Sequence, residues 1–106
     1  MFADMKQMVE KAWREQYALL AINCMNLESA RAAVRVAEKY RAPIILNLYQ
    51  GHLAHFPPAT AMAVARTLAE EASVPVTLSL DHGKEPVKIR QAFRAGFSGL
   101  MIDASA

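Results

Sequence analysis

The chain has 106 residues, of which 54% are hydrophobic, and its net charge of +2 comes from 12 basic and 10 acidic residues spread along the sequence. This length excludes a second independent domain, and the scattered charge excludes a basic patch for nucleic acid. No apolar run approaches the roughly 20 residues of a membrane span, and the charged residues near Met1 exclude a signal peptide, so we expect a cytoplasmic protein.

In the first half of the chain, apolar spacing predicts two helices and two strands. Residues 5–16 carry the stripe of an amphipathic helix, with Asp4 as a possible N-cap and Trp13 on the apolar face. Residues 17–25 are nearly all apolar, which predicts a strand covered on both faces. Asn26 is a candidate cap for a helix at residues 27–40, a second strand covers residues 44–48, and a loop follows at residues 49–58.

The second half repeats this alternation. Residues 59–72 have helical spacing and residues 74–80 form a β-branched strand, after which residues 81–84 break the pattern. Pro86 opens a fourth helix, Gly96 ends it, and residues 100–102 form a short last strand. Strands that alternate with helices predict a parallel sheet with right-handed crossovers. The spacing of strand ends, about 22 to 32 residues, is typical of a βα barrel, of which this chain would be about half.

Polar residues interrupt the apolar strands at four places: Asn23, Tyr49 with Gln50, Asp81 with His82, and Asp103. All four lie where a predicted strand ends, which in a βα barrel is the rim that carries the active site. Any one of them alone is most simply a strand terminator or a helix cap. Asp81 and His82 are the most informative pair, because one of them can exchange protons while the other binds a metal.

Two segments carry a family resemblance: VTLSLDHG at residues 76–83 and AGFSGLMIDAS at residues 95–105. Together they resemble the class II, zinc-dependent fructose-bisphosphate and tagatose-bisphosphate aldolases. The resemblance extends to AIN at residues 21–23, NLE at residues 26–28 and APIIL at residues 42–46, and so covers the whole chain. It implies that residues 1–106 are the N-terminal half of a (β/α)8 aldolase barrel of TIM type.

The resemblance also implies a reaction and a set of roles. A phosphorylated ketose would be cleaved reversibly to dihydroxyacetone phosphate and an aldehyde, with a zinc ion polarising the ketone carbonyl. Asp81 would be the catalytic acid and base, and His82 one zinc ligand. Asn23 would bind substrate, and Asp103 would lie behind the metal ligand or at an alternate cation position.

The sequence departs from the family pattern in three ways. Ser79 stands where the family usually has a histidine, and Tyr49 with Gln50 replaces a small residue at the end of the second strand. The family's other two zinc-binding histidines have no counterpart in the chain. Two functions therefore stay open: a zinc aldolase, or a non-catalytic half-barrel that is structural or regulatory. Because a half-barrel leaves strand edges unpaired, we expect a homo-oligomer or association with the missing half.

Overall fold

A computed structural model describes residues 1–105 of the chain. The four predicted helices and four predicted strands are present in the predicted order, and a short 3₁₀ turn is added after the second strand. The elements are α1 (Met5–Glu15), β1 (Leu20–Asn23), α2 (Leu27–Lys39), β2 (Ile44–Tyr49), the 3₁₀ turn (Gln50–His52), α3 (Pro58–Glu71), β3 (Val76–Gly83), α4 (Pro86–Ala95) and β4 (Gly99–Ile102).

Local signals in the sequence set the helix boundaries. The Asp4 side chain accepts a hydrogen bond from the Lys6 N–H at the start of α1, and Asn26 forms a capping box with Ser29 at the start of α2. Pro86 occupies the first turn of α4, where its missing N–H costs nothing. Gly96 ends that helix with a φ of 104°, in the left-handed region that glycine adopts without strain.

The four strands form one parallel sheet in the order β1-β2-β3-β4, which confirms the predicted α/β architecture. Alternate residues of each strand point to opposite faces. One face packs against the helices: Leu48, Val76 and Leu80 are fully buried there in the main hydrophobic cluster. The opposite face is more polar, and it carries Asn47, Tyr49, Thr77, Ser79 and Asp81.

The prediction that residues 17–25 form a strand covered on both faces is wrong. The strand covers only Leu20–Asn23, and Leu20 is 61% exposed. This exposure arises because β1 is an edge strand whose only neighbour is β2. The apolar face of α1 does not bury Trp13, whose side chain is 84% exposed.

The end of β3 also differs from the prediction. Asp81 and His82 belong to the strand, which continues to Gly83 and does not stop at Leu80. Gly83 pairs with Ile102 across an irregularity in the register, so the strand bends there without leaving the sheet. In residues 1–105, no helix has the length and apolar character needed to cross a membrane.

Candidate functional site

The polar residues predicted from the sequence all lie at the same end of the sheet. Asn23 and Tyr49 are the last residues of β1 and β2, Asp81 and His82 lie near the end of β3, and Asp103 directly follows β4. The strands are parallel, so all of these residues lie at the carboxyl ends. The structure therefore confirms that they share a rim, while their chemical roles stay predictions.

His82 and Asp103 are in direct contact across neighbouring strands. Nδ1 of His82 lies 2.9 Å from Oδ2 of Asp103. The other carboxylate oxygen of Asp103 accepts hydrogen bonds from the Ser105 N–H at 2.9 Å and from the Ser105 hydroxyl at 2.6 Å. Nζ of Lys84 lies 3.8 Å from Asp103. Both oxygens of this carboxylate are therefore engaged.

These contacts determine the ionisation of Asp103 and the tautomer of His82. Hydrogen bonds from the Ser105 side chain, His82 and the Ser105 backbone, helped by the charge of Lys84, hold the pKa of Asp103 well below its usual range. An ionised carboxylate can only accept hydrogen bonds, so the Nδ1 atom of His82 must carry the proton. In neutral His82, the lone pair is therefore on Nε2 and is available to a metal ion.

Asp81 lies on the other side of the His82 ring. Its carboxylate oxygen Oδ1 is 3.8 Å from Nε2 of His82, which is too long for a hydrogen bond. The Asp81 side chain is only 15% exposed, whereas that of His82 is 48% exposed. The Asp81 carboxylate and the free nitrogen of His82 thus lie next to each other at the end of β3.

The backbone of His82 has a φ of 50°, which is uncommon for a residue other than glycine. Residues held in such conformations are found most often where the surrounding structure fixes them for function. The next residue, Gly83, packs so closely that a Cβ there would lie 2.8 Å from side-chain atoms of both Ile89 and Leu80. The end of β3 therefore leaves no room for a side chain at position 83 unless Ile89 and Leu80 shift.

Tyr49 places an aromatic ring beside Asp81 and His82. Tyr49 stands opposite Asp81 in the β2-β3 register, and its ring meets those of His82 and His52 edge-on at centroid distances of 6.4 and 5.6 Å. The ring lies over Gly51, where a Cβ would come within 2.4 Å of it. A bulky residue at the end of β2 is thus accommodated by glycine two positions later.

Gln50 is a site residue whose role the sequence did not reveal. Its side chain is buried, and its carbonyl oxygen accepts hydrogen bonds from the backbone N–H groups of Lys84 at 2.7 Å and Glu85 at 2.8 Å. Its amide donates to a carboxylate oxygen of Glu85 at 3.0 Å. The polarity of Gln50 after an apolar strand was the only signal, and that signal is typical of any strand terminator.

Other candidate residues lie apart from the Asp81–His82 pair. Asn23 is exposed on β1, two strands away from β3, and pairs in register with Asn47. Cys24 is buried beside the helices, and burial raises its pKa to about 11, so it behaves as an inert apolar residue.

The fit of a metal ion can be tested on the residues present. His82 suits a metal ligand, because a carboxylate on one ring nitrogen and a free second nitrogen is the usual arrangement around bound metals. Within residues 1–105, however, there is no group of three or more histidine, cysteine, aspartate or glutamate side chains that could hold a metal ion. Residues 1–105 could therefore supply one ligand of a zinc ion, His82.

A parallel sheet in chain order with helices between its strands is the architecture of a βα-barrel segment. Comparison with known proteins specifies the family. The family profile of class-II fructose-bisphosphate aldolase matches residues 3–106. The chain belongs to this family.

Individual relatives agree with this result. The chain is 37% identical to 6-phospho-5-dehydro-2-deoxy-D-gluconate aldolase of Bacillus licheniformis over 98% of its own length, and 40% identical to fructose-bisphosphate aldolase of Thermus caldophilus over 93%. It spans 37% and 32% of the lengths of these two relatives.

Solved structures show the same fold. The YdjI aldolase of Escherichia coli K12 matches 99% of the chain with a TM-score of 0.88 at 28% identity, and the chain covers 41% of that protein. A putative fructose-1,6-biphosphate aldolase of Coccidioides immitis matches 93% of the chain with a TM-score of 0.84 at 29% identity. The chain therefore has the fold of about 40% of each of these two proteins.

Proposed function

We propose that residues 1–106 are the N-terminal half of a (β/α)8 class II aldolase that uses zinc to cleave a phosphorylated ketose reversibly to dihydroxyacetone phosphate and an aldehyde. The observation that carries this proposal is the arrangement at the end of β3, where the Asp81 carboxylate lies 3.8 Å from the Nε2 atom of His82. The names of both relatives given above indicate phosphorylated substrates, which supports the same substrate class here.

His82 is the proposed zinc ligand, through Nε2. Asp103 is the residue behind it, because its carboxylate fixes the Nδ1–H tautomer and orients the ring. When bound, zinc supplies Lewis acidity toward the ketone carbonyl. Asp103 faces His82 and Ser105 with both oxygens, and this arrangement favours the supporting role over an alternate cation position.

Asp81 is the proposed catalytic acid and base. Its side chain is largely shielded, lies at the rim and has no hydrogen bond to His82, so its carboxylate is free to exchange a proton with a substrate hydroxyl. Asn23, exposed at the end of β1, is the proposed substrate-binding residue, and its amide can both donate to and accept from hydroxyl or phosphate oxygens.

The rest of the zinc site must come from outside residues 1–105, because catalytic zinc normally takes three protein ligands. We therefore propose that the segment works within a complete barrel, as a homo-oligomer or in association with the missing half, in the cytoplasm. The second candidate is a non-catalytic half-barrel with a structural or regulatory role, which needs no further zinc ligands.

The test compares two substitutions in a protein that contains this segment and a complete barrel. We expect His82→Ala to lose zinc and activity together, because a site that loses one of three ligands binds metal weakly. We expect Asp81→Ala to keep zinc and to lose turnover by a factor on the order of 10² to 10⁴. Zinc content by atomic absorption and the rate of ketose cleavage are the measurements.

Equal loss of zinc in the two variants would contradict the separate roles of Asp81 and His82. A complete barrel that binds zinc but cleaves no phosphorylated ketose would favour the non-catalytic alternative.

A further inference from the structure

The Gln50 side chain joins the end of β2 to the loop that follows β3. It is buried, its carbonyl oxygen accepts from two consecutive backbone N–H groups, and its amide donates to the Glu85 carboxylate. We call this set of three hydrogen bonds the Gln50 clamp. The backbone of Gln50 is also fixed, since its carbonyl accepts from the Leu53 N–H at 3.0 Å in the 3₁₀ turn.

The clamp meets a local need of the loop. Glu85 occupies the N-cap position of α4, but its side chain makes no capping hydrogen bond to the helix. Its carboxylate instead accepts from Gln50 and lies 2.9 Å from Nζ of Lys88. The side-chain oxygen of Gln50 supplies an acceptor to the backbone N–H groups of both Lys84 and Glu85, which would otherwise have to bond to water.

The clamped segment begins two residues after His82. On the β4 side, the Asp103 N–H donates to the Gly83 carbonyl at 2.9 Å, and the Asp103 carboxylate contacts the His82 ring. On the β2 side, Gln50 holds Lys84 and Glu85. The backbone directly after His82, whose φ is 50°, is therefore bonded on one side to Asp103 and on the other to Gln50.

We propose that Gln50 is a positioning residue for His82: the clamp fixes the loop after β3 so that the imidazole keeps its hydrogen bond to Asp103 and points Nε2 toward Asp81. The importance of that position rests on the proposed function of His82 as a metal ligand. The Gln50 side chain bonds to Lys84 and Glu85 and not to His82. Gln50 therefore acts on His82 only through the backbone of residues 83–85.

The experiment uses a ¹⁵N-labelled protein that contains this segment and a complete barrel, together with three variants. Gln50→Leu removes every hydrogen bond of the clamp, because it replaces the amide with an apolar side chain of similar size. Gln50→Glu keeps an acceptor for the two N–H groups but places a second carboxylate beside that of Glu85. The double variant Gln50→Glu with Glu85→Gln exchanges donor and acceptor, so that Gln at position 85 donates to Glu at position 50 and the clamp is rebuilt.

Two measurements report the result. Amide hydrogen exchange at Lys84 and Glu85 measures the clamp, and the Nδ1–H resonance of His82 measures its hydrogen bond to Asp103. In Gln50→Leu we expect exchange at both amides to accelerate on the order of tenfold and the His82 resonance to be lost. Exchange at Leu46 and Leu78 in the sheet centre should be unchanged, which checks that the fold is intact. We expect Gln50→Glu to weaken the resonance and the double variant to restore it.

The proposal is overturned if Gln50→Leu leaves the His82 Nδ1–H resonance unchanged, whether or not the two amides exchange faster. If Gln50→Leu does not fold, Gln50→Glu and the double variant decide. The proposal is also overturned if Gln50→Glu leaves the resonance unchanged or if the double variant does not restore the resonance weakened in Gln50→Glu. Neither measurement needs zinc or turnover, so failure of the aldolase proposal would appear only in the zinc and cleavage assays described above.

Discussion

Asp103 shows how short-range contacts set the charge of a single residue. The two hydrogen bonds from Ser105 come from a residue only two positions later, and the His82 contact comes from the neighbouring strand. The pKa of Asp103 is lower in the folded chain than in the unfolded chain as a result. A carboxylate of this kind stabilises the fold above its unfolded pKa of about 3.9, and this contribution is lost as the pH falls below that value.

Asp103→Asn tests this linkage. We expect the variant to unfold at lower urea concentration than the parent chain at pH 7 and pH 5. We expect that difference to shrink at pH 3 and below, because the parent then protonates Asp103 preferentially in its unfolded state. Urea titrations at the three pH values measure it.

Ser105→Ala is the matched control, since it removes the hydroxyl that contributes most to the lowered pKa. It should reduce the pH dependence without abolishing it. A stability difference between the parent and Asp103→Asn that grows on acidification would show that the carboxylate is not the source of the effect.

At the scale of the elements, β2 and β3 form the centre of the molecule. Leu48 on β2 is completely buried against the helices, whereas Val36 on α2 is 55% exposed. Replacing Leu48 with alanine removes packed atoms and leaves a cavity, which costs about 2 to 5 kcal/mol in comparable cores. An exposed valine contributes far less to stability.

We expect Leu48→Ala to lower the free energy of unfolding by about 2 to 5 kcal/mol, and Val36→Ala to change it by less than about 0.5 kcal/mol. Chemical denaturation followed by circular dichroism measures both. Similar losses in the two variants would contradict the placement of the core between the sheet and its helices.

Element order and type were predictable because the apolar periods of the helices and the apolar strands are long and regular. The exposure of β1 was not predictable, because residues 17–25 have the apolar pattern of a strand covered on both faces. Only the tertiary structure shows that β1 is an edge strand. Asp81, His82 and Asp103 were found because each interrupts or ends an apolar strand. Gln50 was missed as a clamp, because its partners are backbone groups 34 and 35 residues away, which no local pattern indicates.

For the whole molecule, within residues 1–105, the sheet is open at both edges, because β1 pairs only with β2 and β4 only with β3. Each outer strand bears a large apolar side chain that is more than half exposed, Leu20 on β1 at 61% and Ile102 on β4 at 62%. Open edges with apolar side chains favour pairing with another chain. The same edges are where further strands would complete a barrel.

We expect the isolated 106-residue chain to be inactive as an aldolase and to be associated in solution at tens of micromolar. Leu20→Lys with Ile102→Lys should shift it toward monomer, because charged side chains at sheet edges oppose pairing. Sedimentation velocity measures both. A stable, folded monomer of the parent chain would show that this sheet needs no partner for its edges.

Strand order in the sheet equals strand order along the chain, and this has a consequence for biosynthesis. Each strand that leaves the ribosome finds its neighbour already made, so β1 to β3 can assemble while later residues are still being translated. Helix α1 is the exception: its first residue, Met5, donates its backbone N–H to the Ser98 hydroxyl, 93 positions later. Helix α1 can therefore make this contact only after Ser98 has been translated.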